Sequence, residues 1–426
     1  MKNRIFQPYT PFSAIEKGFP NIVRGEGIYL FDDQGRRYVD IVSSWWACAL
    51  GHGHPQVVEA IRKQAGVLQH SITGSLTHPN VLALADRLAR LMPTPDRHSV
   101  FASDGCSAVE AALKIAIQYW YNLGQPEKTW VIGMDQGYHG DSLGALGAGF
   151  VDGFHKPFER AVSHHSKLPF PVSSASDADG FEPSRKVIEQ HAGKLAAVIV
   201  EPLCLGSAGM KIYPAGYLKK LAACCTANQV LLIVDEIAMG FGRTGKRFAF
   251  NHAGIDPDMV CVGKALTAGY MPLSACIVKD EIYNTFSDTP ADHTFYHGNT
   301  FAGHPIGCAA ALAALDIYEA EDTVARAAEL AEKMKQWMQP MAALDCVKEL
   351  RFLGMIGVVE LKPEFRPQVK KIKQRLFDQG YLFRPLGTVF YLMPPLVIGE
   401  KELKAAVDAL SQSLHDVAQC QPDAPV

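Results

Sequence analysis

Two stretches decide the fold: Val230-Leu231-Leu232-Ile233-Val234-Asp235 and Met259-Val260-Cys261-Val262-Gly263-Lys264. Each is a short apolar run, and each delivers a charged side chain at or just past its end. A strand that is apolar on both faces must be covered on both. That is the place of a strand in a parallel or mixed sheet lying between two layers of helices. Outward from these, the runs at 99–102, 130–133, 196–200 and 274–278 repeat the pattern. The spacing predicts helices over about 107–121, 216–228 and 305–319, and the second completes a strand–helix–strand unit. His54-Pro55 opens another helix through 67, with proline in the first turn, where its missing N–H does least harm. The expected class is therefore α/β.

The chain ends have a different texture. Apolar segments at 28–31 and 37–42 flank Asp32-Asp33-Gln34-Gly35, a hairpin turn sequence. Beyond residue 320 a charged helix is expected over about 322–339. Strands within 347–361 and 381–393 then enclose a helix over 366–379, and a last helix starts near Glu400. The expected organisation is a large domain over 51–320 and a smaller, discontinuous α+β domain built from 1–50 and 321–426.

Composition narrows the function. In 426 residues, 48% are hydrophobic and 20% charged, which supports a large core and excludes disorder as the main state. Lys plus Arg number 41 against 44 Asp plus Glu, a net charge of −3 without the basic excess of a nucleic-acid binder. The ten cysteines form no CxxC pair and no short-spaced cluster, so neither zinc nor a disulfide framework is expected, and no metal site. Residues 1–10 lack a continuous apolar core of the signal-peptide kind, and no uncharged apolar run reaches the roughly 18 residues needed to span a membrane. A cytoplasmic enzyme is the expectation.

Four features bear on chemistry. Gly240-Phe241-Gly242-Arg243-Thr244-Gly245-Lys246 fits two phosphate-loop templates, yet its strand ends five residues early, at Asp235. Arg247 stands where a magnesium-binding hydroxyl belongs, and Phe248-Ala249-Phe250 has no helix-opening cap. It reads as a loop. Ser103-Asp104-Gly105-Cys106-Ser107 follows a strand and opens a helix, with Glu110 three residues past Ser107 at capping-box spacing. The free N–H groups there can hold a phosphate, or the segment can be an ordinary N-cap. Asp235 stands at the carboxyl end of its strand, where ligand crevices form, although it can equally cap a helix. Lys264 ends an apolar strand; burial would free its amine for nucleophilic or base work, and the alternative is a lysine reaching solvent. Helix-held phosphate, a carboxylate for a ring nitrogen and a lysine amine that condenses with an aldehyde are together the needs of pyridoxal 5'-phosphate (PLP).

Asp235-Glu236-Ile237, the glycine-rich loop 240–245 and Gly263-Lys264-Ala265-Leu266 resemble the signature of the class III aminotransferases of fold type I, over about residues 5–400. The resemblance implies a PLP enzyme in which Lys264 holds the cofactor and moves the proton, and Asp235 keeps the ring nitrogen protonated. Tyr138, in Gly137-Tyr138-His139-Gly140-Asp141, lies on the ring face. Gly105, Cys106 and Ser107 take the phosphate, with Cys106 standing where many relatives carry Ser or Thr. Thr300, in His297-Gly298-Asn299-Thr300-Phe301, is implied to reach the phosphate of a neighbouring subunit, hence a homodimer.

Gln7-Pro8-Tyr9-Thr10, Ser43-Ser44-Trp45-Trp46-Ala47, Phe383-Arg384-Pro385-Leu386-Gly387 and Tyr391-Leu392-Met393-Pro394-Pro395 resemble the branch of that family serving biotin synthesis. That branch aminates 8-amino-7-oxononanoate, with S-adenosylmethionine or another amine such as lysine as donor. Tyr9 and Trp45 would wall an aliphatic chain and Arg384 would clamp its carboxylate. Tyr391 and Gly298 are further substrate candidates, and Arg243 is expected to bound the substrate cavity. The alternatives are another ω-aminotransferase, acting on diamines, 4-aminobutyrate or β-alanine, and an aminomutase on the same fold.

Overall fold

The computed structural model describes residues 4–15, 18–163 and 165–418. A six-stranded sheet forms in the order Arg97–Ala102, Ser274–Lys279, Met259–Val262, Leu231–Asp235, Leu195–Val200, Trp130–Gly133. Only Ser274–Lys279 runs against its neighbours. Alternation along Leu231–Asp235 shows why the sequence reads as unbroken apolar. Leu231 and Ile233 join one core, with Val109 and Ala112 of helix Gly105–Asn122. Leu232 and Val234 join the other, with Leu218 and Leu221 of helix Ala215–Ala227 and Ala311 of helix Pro305–Ala320. Burying each Val, Leu or Ile contributes about 1.5–3 kcal/mol, so both helix layers are held by the same short strands.

The parallel strands end on one edge. Register pairs Cys261 with Asp235 and Val200 with Val234, which sets Glu201, Asp235 and Gly263-Lys264 side by side at the carboxyl ends. This edge is the crevice of an open α/β sheet.

Two three-stranded antiparallel sheets come from the chain ends: Ile22–Glu26, Tyr29–Asp32, Arg37–Val39, and Val347–Leu353, Ile356–Leu361, Val389–Leu392. They meet through a bridge between Val39 and Tyr381 and the bond from Met393 N to Ile41 O (2.9 Å). Several expectations need correction. The 347–361 segment is a hairpin turning at Gly354 (φ 53°), where a Cβ would collide with the backbone of Thr244. In the 381–393 segment only Val389–Leu392 is strand, because the prolines at 385, 394 and 395 cannot donate to a ladder. The helix expected over 366–379 starts at Val369, after a 3₁₀ turn containing Pro367. Downstream of the glycine-rich loop a cap does exist: Asn251 Oδ1 accepts from Phe248 N (2.9 Å) and opens the short turn Ala249–His252. Nine cysteines are unpaired, and Cys420 lies outside the described residues. Among the described residues no helix is long and apolar enough to cross a membrane.

Candidate active site

At the carboxyl edge of the sheet a cavity of about 340 Å³ has Lys264, Asp235, Glu201, Tyr138, Trp46 and Gly105 in its lining, together with Asp104, Cys106, His139, Gly140, Asp141, Ile237 and Ala238. The structure thus brings together five expected residues: Lys264, Asp235, Tyr138, Gly105 and Cys106. Asp235 is 5% exposed, and its charge is compensated: Oδ2 lies 2.8 Å from His139 Nδ1, while Oδ1 accepts from Ile237 N (3.1 Å). Lys264 begins a 3₁₀ turn with φ at 43°, a left-handed conformation for a residue with a Cβ. Burial lowers its pKa, opposed by the fields of Asp235 and Glu201. Its Nζ lies 5.1 Å from the Trp46 ring centroid.

Glu201, His139 and Trp46 were not singled out from sequence. Glu201 carries the same signal as Asp235, a carboxylate closing an apolar run. Its Oε1 accepts from Tyr138 N and its Oε2 from Gly206 N, both at 2.9 Å. Burial pushes its pKa up to about 7, against the lowering effect of His139 and the two amide bonds.

Helix Gly105–Asn122 differs from expectation at its start. The cap is Asp104, whose Oδ1 accepts from Ser107 N (3.0 Å) and whose Oδ2 accepts from Ser107 Oγ (2.9 Å). Glu110 makes no capping box; it accepts from Ser142 Oγ (2.5 Å) and Ala145 N (3.2 Å), and so caps the next helix, Leu143–Ala148. Ser107 is therefore held by Asp104 and is not among the cavity-lining residues, leaving the amides of Gly105 and Cys106 at the opening. Gly140 (φ 120°) lies so close to Cys106 that a Cβ would collide with it, which locks the loop carrying Tyr138 onto this helix start.

An outer cleft of about 1180 Å³ adjoins, with Tyr9, Phe154, Phe377, Tyr381 and Arg384 among its lining residues. The Arg384 guanidinium stacks 3.8 Å above the Trp45 ring, and Tyr9 meets that ring edge-on at 5.5 Å. Tyr9 donates to Asp141 Oδ1 (2.5 Å) and Tyr138 to Asp141 Oδ2 (3.1 Å), so one carboxylate joins the two compartments. Burial and the Asp141 bond push the Tyr9 phenol up to about 12, and burial raises Tyr138 further.

Four expected residues stand elsewhere. Tyr391 is 1% exposed and sits behind Trp46, accepting a bond from Trp46 Nε1 (3.2 Å), rather than on the cleft wall. Gly298 and Thr300 lie on an exposed loop and line neither compartment within one chain. Arg243 lines neither compartment: buried, it donates to Pro394 O (2.5 Å) and Ser43 Oγ (3.4 Å), and burial lowers it to about 10.

Trp45 and Trp46 ride on a left-handed turn. Ser43, Ser44, Trp45 and Trp46 have φ of 49°, 45°, 68° and 72°. Such backbone costs roughly 1–2 kcal/mol per residue bearing a Cβ, so neighbouring bonds must hold it. Trp46 N bonds to Val42 O (2.8 Å), Ala47 N to Ser43 O (2.9 Å), and Ser43 Oγ to Met393 O (2.8 Å).

A sheet-edge lysine and carboxylate facing a helix start is the arrangement of an aminotransferase, and the family model "Aminotransferase class-III" matches residues 14–414; the chain belongs to that family. Among its curated relatives, proteins named adenosylmethionine-8-amino-7-oxononanoate aminotransferase are 35% identical in Geobacter sulfurreducens, over 98% of this chain and 96% of that protein. The protein so named in Synechococcus elongatus is 36% identical, over 96% and 98%. The crystal structure of that aminotransferase from Methanocaldococcus jannaschii superposes with a TM-score of 0.92 at 34% identity, over 97% of both chains. An omega transaminase from Pseudomonas jessenii, solved in complex with PMP, gives 0.92 at 27% identity, over 97% of this chain and 96% of its own.

Proposed function

We propose that this chain binds PLP and transfers an amino group to 8-amino-7-oxononanoate, giving 7,8-diaminononanoate, with S-adenosylmethionine as donor. The observation that carries the reading is the junction of two compartments. A cavity with Lys264 and Asp235 opens beside a cleft lined by Arg384 and Tyr9, both of which pack against Trp45. The name shared by the full-length relatives supports the same substrate pair.

The residues present fit the cofactor. Among the described residues nothing hydrogen-bonds or ion-pairs with the Lys264 ammonium, although the lysine is half-buried in the cavity wall. A Cβ on Gly105 would come within 3.0 Å of Ile237, so the glycine keeps the helix start close to the cavity wall. Asp104, an anion at the same end, has its charge engaged by Ser107. When bound, PLP supplies an electron sink and carries the amino group between donor and acceptor.

The chain's own groups do the rest. Lys264, with its pKa lowered by burial, takes and returns the substrate proton from its Nζ. Asp235, anchored by His139, would hold a proton on the ring nitrogen. Tyr138, on the cavity wall, would pack against the ring, and the Gly105 and Cys106 amides at the positive end of the helix would hold the phosphate. Arg384 takes the substrate carboxylate through paired bonds, while Trp45 and Tyr9 exclude water from its methylenes. A homodimer in which Thr300 and Gly298 serve the neighbouring site completes the reading, with a large domain over 51–320, a small one from both ends, and action in the cytoplasm.

The test is amino transfer itself. Purified protein supplied with PLP, 8-amino-7-oxononanoate and S-adenosylmethionine is expected to form 7,8-diaminononanoate. Absence of that product with S-adenosylmethionine, lysine and a panel of diamines alike overturns the reading in favour of another ω-aminotransferase. Movement of the amine within one substrate, with no keto acid released, would instead identify an aminomutase.

A further inference from the structure

The left-handed turn Ser43–Trp46 touches both compartments, since Trp46 lines the cavity and Trp45 packs against two residues that line the cleft. Trp45 carries Arg384 and Tyr9 on the cleft side, while Trp46 lines the cavity over Lys264. Helix or strand geometry at 43–46 would change where both rings point. The turn has no glycine to make positive φ easy, so its conformation is imposed from outside.

What imposes it is a small polar cluster outside both compartments. Asp40 is buried, and its Oδ2 accepts from Ser44 Oγ (2.7 Å) and lies 3.1 Å from His52 Nε2. On the other flank, Ser43 Oγ donates to Met393 O (2.8 Å) and accepts from Arg243 (3.4 Å). A serine, a histidine and an aspartate thus come together without lining either compartment. We propose that Asp40, Ser44 and His52 are positioning residues that hold this turn left-handed, so that Trp45 presents Arg384 to the substrate carboxylate while Trp46 stays fixed beside Lys264. The inference rests on the aminotransferase reading for its substrate, and it deepens that reading by naming what sets keto-acid affinity at a distance.

Glycine separates backbone from side chain here. Ser44→Gly loses the bond to Asp40 but adopts positive φ freely; Ser44→Ala loses the same bond and keeps the strain; Ser44→Val adds β-branching. Urea unfolding of the holoenzyme is expected to rank Ser44→Gly above Ser44→Ala and Ser44→Ala above Ser44→Val in midpoint. In turnover, KM for 8-amino-7-oxononanoate is expected to rise less than about threefold in Ser44→Gly and about tenfold or more in Ser44→Val and Asp40→Asn. Expected alongside is a cofactor dissociation constant, read by absorbance titration, within twofold of the parent. Equal KM for Ser44→Gly and Ser44→Val, or lower midpoints with KM unchanged in every variant, overturns the proposal. If the parent protein itself does not aminate the keto acid, the functional reading fails instead, and the unfolding order still decides what holds the turn.

Discussion

His139 Nδ1 stands 2.8 Å from Asp235 Oδ2, so the carboxylate at the end of the central strand is fixed by an imidazole on the loop that also carries Tyr138. Asp235→Asn keeps the shape and removes the charge. It is expected to lower kcat by about 100- to 1000-fold, the scale for losing one preorganised electrostatic partner. His139→Phe leaves Asp235 its bond from Ile237 alone. It is expected to cost about 1–3 kcal/mol in urea unfolding, with a smaller fall in kcat than Asp235→Asn. A larger fall for the histidine variant would reverse the assigned roles.

Lys264 has its pKa lowered by burial, so the unfolded chain holds that proton more tightly than the native one. Its stability penalty is therefore present at neutral pH and shrinks as pH rises toward the unfolded value. Lys264→Met is expected to unfold at higher urea than the parent at pH 7, with the gap narrowing by pH 10, both proteins measured without cofactor. Activity should fall at least about 100-fold, and borohydride should no longer fix the cofactor to the chain in a mass spectrum.

Glu201 has the opposite sign. Its pKa, pushed up to about 7 by burial from the ordinary 4.5 of a glutamate, makes the native state hold a proton that the unfolded chain releases. Stability from this group is fullest below about pH 4.5 and is lost progressively up to about pH 7, by about 3 kcal/mol in all at roughly 1.4 kcal/mol per pH unit. Glu201→Gln does not titrate, so the parent should lose stability relative to the variant between pH 5 and 7 and run parallel above pH 7.5. A gap constant with pH would mean that the carboxyl is ionised throughout.

Arg384 stacked on Trp45 is expected to set keto-acid affinity more than chemistry. Arg384→Leu removes a charge-assisted pair worth about 1.5–3 kcal/mol, raising KM for 8-amino-7-oxononanoate by about 10- to 100-fold. Trp45→Ala removes the platform alone and should raise it by less, with about 0.5–2 kcal/mol at stake. Steady-state kinetics with donor saturating distinguishes the two.

The sheet, the lysine and the aspartate were legible because they depend on local runs: an unbroken apolar strand can be buried on both faces only in one layer, and a charged residue at its end is conspicuous. Glu201 closes the same kind of run, yet Pro202 behind it reads as a turn, and the side chain's two amide partners come from distant segments. The cap at Asp104 was hidden because Ser107 and Glu110 offered a competing spacing that tertiary contacts with Ser142 dissolved. Strand Ile22–Glu26 was missed because it is largely exposed and has no alternation. Nothing local announces the turn at 43–46, whose residues are poor at positive φ and are held there by Asp40 and Met393. Thr300 and Gly298 lie on an exposed loop that lines neither compartment.

The bond from Tyr9 to Asp141 has a practical meaning for anyone handling this protein. Tyr9 stands before the first sheet, in a stretch that carries little regular structure, yet it is tied across 132 positions to the loop beside Lys264. Trimming ten residues, or cleaving a tag through them, is an active-site mutation in disguise. A preparation nicked there by protease would lose the bond that ties the cleft-lining Tyr9 to the cavity-lining Asp141.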